Sequence, residues 1–115
     1  MIYRIAIVDD NQTDREFLHA QAQSWAAQNG SILQAELFVS AEEFLFHYAE
    51  HKDYDILLLD IEMPGMDGVT MARHIRKENE TVQIVFITGY SEYISEGYEV
   101  AALHYLMKPV NTGKL

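Results

Sequence analysis

The stretch Ile56-Leu57-Leu58-Leu59-Asp60 is a continuous apolar run that ends on a carboxylate. Other short apolar runs also end on residues that can bind metal or phosphate. They are Ile5-Ala6-Ile7-Val8 before Asp9 and Asp10, Ile84-Val85-Phe86-Ile87 before Thr88, and His104-Tyr105-Leu106-Met107 before Lys108. An apolar run without alternation is typical of a parallel strand covered on both faces. The runs therefore predict the buried strands of a parallel sheet.

Helix signals alternate with these strands and give the order β-α-β-α-β-α-β-α-β. After the first strand, apolar residues recur at helical spacing, and we expect Trp25 among them to lie in the core. Ser40 begins a capping box, Asp67 is placed to cap a third helix, and Ser91 a short fourth one. Residues 33–39 are more polar and predict an edge strand. Right-handed crossovers then give a doubly wound α/β fold around a five-stranded parallel sheet.

Composition limits the kinds of function. The chain has 115 residues, no cysteine and a formal net charge of −10. This length suits one domain, and the lack of cysteine excludes disulfides and thiolate metal sites. Nucleic-acid binding needs a basic patch, so we expect this domain to make no direct nucleic-acid contact. No apolar stretch approaches the about 18 residues of a membrane span, so we expect no membrane contact, and a cytoplasmic location fits.

The polar residues at the strand ends predict a metal and phosphoryl site, because open α/β sheets bind ligands at this edge. The residues expected to converge there are Asp9, Asp10, Asp60, Thr88 and Lys108. Two unit charges about 4 Å apart repel by about 4 kcal/mol at an effective dielectric of about 20, so neighbouring carboxylates need a proton or a cation. Hard oxygen ligands without His or Cys suit Mg²⁺ or Mn²⁺. A carboxylate can also act as a nucleophile and form an acyl phosphate.

The same residues carry a family resemblance. The segment after Asp60 reads Ile61-Glu62-Met63-Pro64-Gly65-Met66-Asp67-Gly68, and Thr88-Gly89 and Lys108-Pro109 complete the pattern. This set resembles the receiver domain of bacterial two-component response regulators, over essentially the whole chain. The resemblance implies a flavodoxin-like sheet with strand order 2-1-3-4-5, an order known for a member of this family.

The resemblance implies a phosphorylation site and a metal site. Asp60 is implied as the phosphoacceptor, which takes a phosphoryl group from a phosphohistidine on a sensor histidine kinase. Asp10 and Asp60 are implied as direct ligands of Mg²⁺ (or Mn²⁺), and Asp9 as a ligand that acts partly through water. The backbone carbonyl of Glu62 is implied as a further ligand. Such a domain is a signalling phosphoacceptor, not an enzyme, because it catalyses only its own phosphorylation and dephosphorylation.

The resemblance also implies roles for residues later in the chain. Lys108 would pair with the phosphoryl group, and the Thr88 hydroxyl would hydrogen-bond to it. Glu62 and Tyr90 occupy the two positions that tune the lifetime of the acyl phosphate. Thr88 and Tyr105 match the family's switch residues. On phosphorylation Thr88 would move inward and Tyr105 would fill the vacated space, which shifts the population between two packings.

The segments around Tyr90 and Tyr105 are similar to receivers that precede a LytTR-type DNA-binding domain. We therefore expect residues 1–115 to form a receiver domain that is cut before or within its fifth helix. The expected partner in the full-length chain is a DNA-binding output domain, which regulates transcription. Without the last helix, apolar sheet surface would be uncovered, so self-association into a homodimer is a further expectation.

Other functions stay open at this point. A stand-alone receiver would act through protein–protein contacts alone. An aspartate-nucleophile phosphatase of the haloacid-dehalogenase kind would need a second Asp two residues after the nucleophile, where this chain has Glu62. A flavodoxin would need a Ser/Thr/Gly-rich phosphate loop after the first strand. Asp9 and Asp10 stand there instead and would repel phosphate unless a metal were bound.

Overall fold

The computed structural model describes residues 1–88 and 104–107, with the backbone alone for Thr88 and the last strand. Within these ranges the chain alternates strands and helices in the predicted order. The elements are β1 (Ile2–Val8), α1 (Gln12–Gln28), β2 (Ile32–Phe38), α2 (Ala41–Tyr48), β3 (Ile56–Asp60), α3 (Gly68–Arg76), β4 (Gln83–Thr88) and β5 (His104–Met107). The fourth helix predicted to begin at Ser91 lies outside the described residues. Among the helices described, none combines the length and the apolar character needed to cross a membrane.

The strands form one parallel sheet in the order β2-β1-β3-β4-β5. The chain therefore adds β2 on one side of β1 and β3 to β5 on the other, which is the doubly wound arrangement. This confirms the predicted flavodoxin-like fold. The strand predicted over residues 33–39 lies at an edge of the sheet, as expected, and runs over Ile32–Phe38.

Helices cover both faces of the sheet. Ile5 and Ile7 of β1 pack with Leu18 and Ala22 of α1, in one cluster of buried residues. The alternate residues of β1 belong to a second cluster, which contains buried residues of α2 and α3. Successive side chains of a strand point to opposite faces, and here both faces are buried. This explains why the strand sequences are apolar without alternation.

Each described helix begins at a polar capping residue shortly after a strand or loop. In each case a side-chain oxygen accepts a hydrogen bond from a backbone N–H three residues later. The pairs are Asn11 with Asp14 (2.9 Å), Ser40 with Glu43 (3.0 Å) and Asp67 with Thr70 (2.8 Å). Such caps satisfy N–H groups that have no partner within the helix. Because the caps fix where helices begin, they also fix the loops at the C-terminal edge of the sheet.

The prediction that Trp25 lies in the core is wrong. Its side chain is 40% exposed, and its indole packs against the ring of Tyr3 with centroids 5.9 Å apart. The buried stripe of α1 runs through Leu18, Ala22 and Ala26. The small alanines let the helix lie close to the sheet, so the large indole remains at the margin of the stripe.

Candidate functional site

Three carboxylates meet at the C-terminal ends of β1 and β3. One carboxylate oxygen from each of Asp9, Asp10 and Asp60 lies within 4.8 Å of the others. The two strands are neighbours, with Val8 opposite Leu59, so the residues that follow emerge side by side. The structure thus brings together all the acidic residues that the sequence placed in one pocket. Residues about fifty positions apart in sequence become adjacent because parallel strands end at the same edge of a sheet.

Asp9 is held rigidly within this cluster. It is fully buried, and its carboxylate accepts a hydrogen bond from the backbone N–H of Asn11 (2.9 Å). Its backbone N–H donates to the carbonyl of Phe38 (3.1 Å), and its own carbonyl accepts from the Arg15 guanidinium (2.7 Å). The carboxylate is therefore positioned before any cation arrives. Arg15 was not predicted to belong to this site, because its reach to the strand end depends on the angle at which α1 leaves β1.

Burial differs among the three carboxylates. Asp60 is only 5% exposed and Asp9 is fully buried, whereas Asp10 is exposed. Charges that are withdrawn from water and placed together are costly unless they are neutralised. The donor set consists of hard oxygens, which fits Mg²⁺ or Mn²⁺. The cluster is open to solvent on the side of Asp10. This suits a cation that keeps water ligands and takes a further ligand from a phosphoryl group.

The segment after Asp60, residues 61–67, is called here the β3–α3 loop. Ile61 and Met63 are buried, and Glu62 between them is exposed. The N–H of Gly68 donates to the carbonyl of Ile61 (2.9 Å), and a methyl group at Gly68 would overlap the carbonyl of Asp60. The apolar anchors and the tight start of α3 therefore fix the loop next to Asp60. Gly68 belongs to the motif that carries the family resemblance, but no role was predicted for it.

The remaining predicted site residues are described only partly or not at all. Thr88 ends β4, one residue beyond Ile87, which pairs with Asp60, so the Thr88 backbone reaches the same edge of the sheet. Tyr105 pairs with Phe86 in the register between β5 and β4. The side chains of Thr88 and Tyr105, together with Tyr90 and Lys108, lie outside the described part of the chain. Their roles stay predictions.

Comparison with known proteins identifies the family. Residues 5–115 match the family described as response regulator receiver domain. The transcriptional regulatory protein AruR of Pseudomonas aeruginosa is 35% identical over 119 residues, which cover 100% of this chain and 47% of AruR. The transcriptional regulatory protein YpdB of Escherichia coli is 32% identical over 114 residues, which cover 97% of this chain and 44% of YpdB. The chain thus spans less than half the length of these curated relatives.

A solved structure agrees with this result. The response regulator TrrA of Thermotoga maritima, in complex with Mg²⁺ and BeF, has a TM-score of 0.76 and 32% identity. The match covers 97% of this chain and 91% of that chain. Together with the family match over nearly the whole sequence, it favours a receiver over the flavodoxin and phosphatase alternatives. The chain therefore belongs to the family of response regulator receiver domains, the phosphoacceptor modules of two-component signalling.

Proposed function

We propose that this domain takes a phosphoryl group from a sensor histidine kinase onto Asp60, with Mg²⁺ (or Mn²⁺) bound, and thereby switches an output domain. The observation that carries the proposal is the meeting of the Asp9, Asp10 and Asp60 carboxylates within 4.8 Å at one sheet edge. A cluster of this kind favours a divalent cation, and a bound cation allows an anionic phosphoryl group to approach carboxylates that would otherwise repel it.

Asp60 is the proposed nucleophile. One of its carboxylate oxygens attacks phosphorus, and the new O–P bond forms as the P–N bond of the phosphohistidine breaks and the imidazole leaves with the bonding electron pair. Asp60 is the last residue of β3 and is 5% exposed, so the strand and the adjoining core fix its backbone. A nucleophile on a rigid strand end needs little ordering when the phosphodonor binds.

The proposed metal ligands are the carboxylates of Asp10 and Asp60, the backbone carbonyl of Glu62, and Asp9 partly through water. When bound, the cation supplies positive charge that offsets the carboxylates and the phosphoryl oxygens. The hydrogen bond from Asn11 to the Asp9 carboxylate supports this arrangement, because it holds one acidic group in place (2.9 Å). The Mg²⁺ in the TrrA complex, from a relative with 32% identity, supports the same choice of metal.

Residues from the β3–α3 loop onward complete the proposed mechanism. Lys108 pairs with the phosphoryl oxygens, and the Thr88 hydroxyl donates a hydrogen bond to one of them. Glu62 and Tyr90 set how long the acyl phosphate survives. Thr88 and Tyr105 form the switch, in which movement of Thr88 makes room for Tyr105. The support is the register, which places Tyr105 opposite Phe86 and ends β4 at Thr88, beside the end of β3.

The proposed output is transcription control. AruR and YpdB are named transcriptional regulatory proteins, and this chain covers less than half of each. We infer that a DNA-binding output domain accompanies this receiver in the full-length protein, where residues 1–115 form the receiver. The net charge of −10 argues that the receiver itself does not contact DNA. Homodimerisation is a further part of this proposal.

Labelling with acetyl phosphate tests the proposed function. In the presence of Mg²⁺, intact-mass measurement should show a gain of one phosphoryl group per chain, and the gain should be lost in EDTA. Asp60→Asn should abolish it, because an amide does not form the acyl phosphate. The matched control is Asp53→Asn, which changes an exposed aspartate that pairs with Arg4 (3.4 Å) away from the cluster. Labelling of Asp60→Asn to the extent of the unchanged chain would exclude Asp60 as the acceptor.

A further inference from the structure

The exposed turn of the β3–α3 loop contacts the beginning of α2. The backbone N–H of Met66 donates a hydrogen bond to the carboxylate of Glu42, with a nitrogen–oxygen distance of 3.1 Å. Gly65 has a positive φ of 78°, and a methyl group at this position would overlap the same carboxylate. The Glu42 side chain therefore lies directly against the loop backbone, at a turn where the positive φ favours glycine.

We propose that Glu42 is a positioning residue for the metal site. It holds the β3–α3 loop in the conformation in which Asp60 and the Glu62 carbonyl can both face the cation. This inference rests on the function proposed above. The two ends of the loop are fixed otherwise, by the bond from Gly68 to Ile61 (2.9 Å) and by the helix cap at Asp67. Glu42 adds a contact in the exposed middle of the loop.

The position of Glu42 suits this role. It lies in the first turn of α2, two residues after the cap at Ser40, where a carboxylate is favoured by the partial positive charge of the helix end. A hydrogen bond from a backbone N–H to an ionised carboxylate is stronger than one between neutral groups. Because Glu42 is exposed, water competes for this bond, so we expect a moderate effect.

The segment that carries Glu42 also touches the other side of the acidic cluster. Phe38, the last residue of β2, accepts a hydrogen bond from the N–H of Asp9 (3.1 Å). The chain then passes through Ser40 into α2 and reaches the loop after Asp60 through Glu42. The segment from Phe38 to Glu42 thus contacts the chain on both sides of the proposed metal site, after β1 and after β3. A shift of this segment would move both sets of ligands.

The test compares variants of Glu42 that distinguish the effect of side-chain length from the effect of charge. Glu42→Ala removes the acceptor, Glu42→Asp keeps the charge on a side chain shorter by one methylene, and Glu42→Gln keeps an acceptor oxygen at the original reach. Titration calorimetry with MgCl₂ should give a dissociation constant about threefold to fivefold weaker for the Ala and Asp variants. The Gln variant should stay within about twofold of the unchanged chain.

Controls separate this effect from general loss of charge or of fold. Glu43→Gln and Glu43→Ala remove the other acidic side chain of the same helical turn and should leave Mg²⁺ binding within about twofold. Acetyl phosphate labelling of Glu42→Ala should be slower at low Mg²⁺ and recover at saturating Mg²⁺. A purely structural role would not give this recovery, and thermal unfolding checks that each variant is folded.

The outcomes are distinct. Failure of the unchanged chain to bind Mg²⁺ would overturn the proposed function, and this inference with it. Normal Mg²⁺ binding by the unchanged chain together with normal binding by Glu42→Ala and Glu42→Asp would overturn this inference alone. Binding by Glu42→Gln as weak as that by Glu42→Ala would show that charge, and not the hydrogen bond to Met66, matters, and would also overturn it.

Discussion

Gly68 lies against the backbone carbonyl of Asp60, so closely that a methyl group on Gly68 would overlap it. The Gly68 N–H also donates to the carbonyl of the next residue, Ile61 (2.9 Å). The first residue of α3 therefore packs onto the strand end that carries the proposed phosphoacceptor. The φ of Gly68 is not positive, so the requirement for glycine here is one of space and not of backbone conformation.

Gly68→Ala should lower the free energy of unfolding by about 2 kcal/mol, because backbone atoms cannot move aside as a flexible side chain can. Helix propensity alone would predict the opposite sign, with a gain of up to about 1 kcal/mol for alanine in a helix. Urea unfolding decides between the two. Gly30→Ala gives a comparison in which the cause differs, because alanine there meets open space but must adopt a positive φ of 65°, and it should cost only about 1 kcal/mol. Equal or greater stability of Gly68→Ala would contradict the close contact with Asp60.

Neutralising one carboxylate of the acidic cluster should stabilise the metal-free protein. The three carboxylates lie within 4.8 Å of one another, and two of them are buried, so their mutual repulsion opposes folding when no cation is present. In EDTA at pH 7, Asp60→Asn should raise the free energy of unfolding by about 1–2 kcal/mol. Mg²⁺ at about 100 times its dissociation constant should stabilise the unchanged chain by about 2.7 kcal/mol and the variant much less.

Urea unfolding with and without Mg²⁺ measures both effects. Asp53→Asn serves as the control, because it removes a carboxylate whose side chain is 91% exposed and lies outside the cluster. A lower stability of Asp60→Asn than of the unchanged chain in EDTA would argue that the carboxylates do not repel one another as the geometry implies. An equal gain from Mg²⁺ in both proteins would place the cation elsewhere.

Most of the fold could be predicted from local sequence patterns. The run Ile56-Leu57-Leu58-Leu59-Asp60 indicated a strand buried on both faces, and the caps at Ser40 and Asp67 marked helix starts correctly. The meeting of Asp9 and Asp60 followed from one general property of parallel sheets, which is that strands end at a common edge. The strand order did not follow from periodicity. It came from the family resemblance, because hydrophobic patterns do not specify which strands are neighbours.

Contacts between side chains and distant backbone could not be predicted. Glu42 and Met66 are 24 residues apart, and their hydrogen bond depends on how α2 sits against the β3–α3 loop. The reach of Arg15 to the Asp9 carbonyl likewise depends on the exit angle of α1. Trp25 shows a related limit. Helical spacing indicated which side of α1 faces the sheet. How far the Trp25 indole is buried, however, depends on how closely the alanines of that side pack against the sheet.

Tyr54 provides a test of packing at the opposite end of β3 from Asp60, the proposed phosphoacceptor. Its side chain is buried, with 6% exposed, at the turn that precedes β3. Burial raises the pKa of the Tyr54 hydroxyl to about 12, and the nearby Glu36 carboxylate acts in the same direction. The Arg4 guanidinium, 5.3 Å from the centroid of the ring, opposes the shift by favouring the phenolate.

Because of the raised pKa of Tyr54, the free energy of unfolding should fall as the pH rises from 10 to about 12. In this window the folded state keeps the Tyr54 proton while the unfolded state loses it, so the unfolded state is favoured progressively. The stability that burial of the protonated Tyr54 hydroxyl allows is fully present below pH 10, which corresponds to the ordinary pKa of tyrosine. Tyr54→Phe should remove this part of the decline. Urea unfolding at several pH values compares the two proteins, and ultraviolet titration should show one fewer late-ionising phenol in the variant. Parallel declines in stability would show that burial does not shift this hydroxyl.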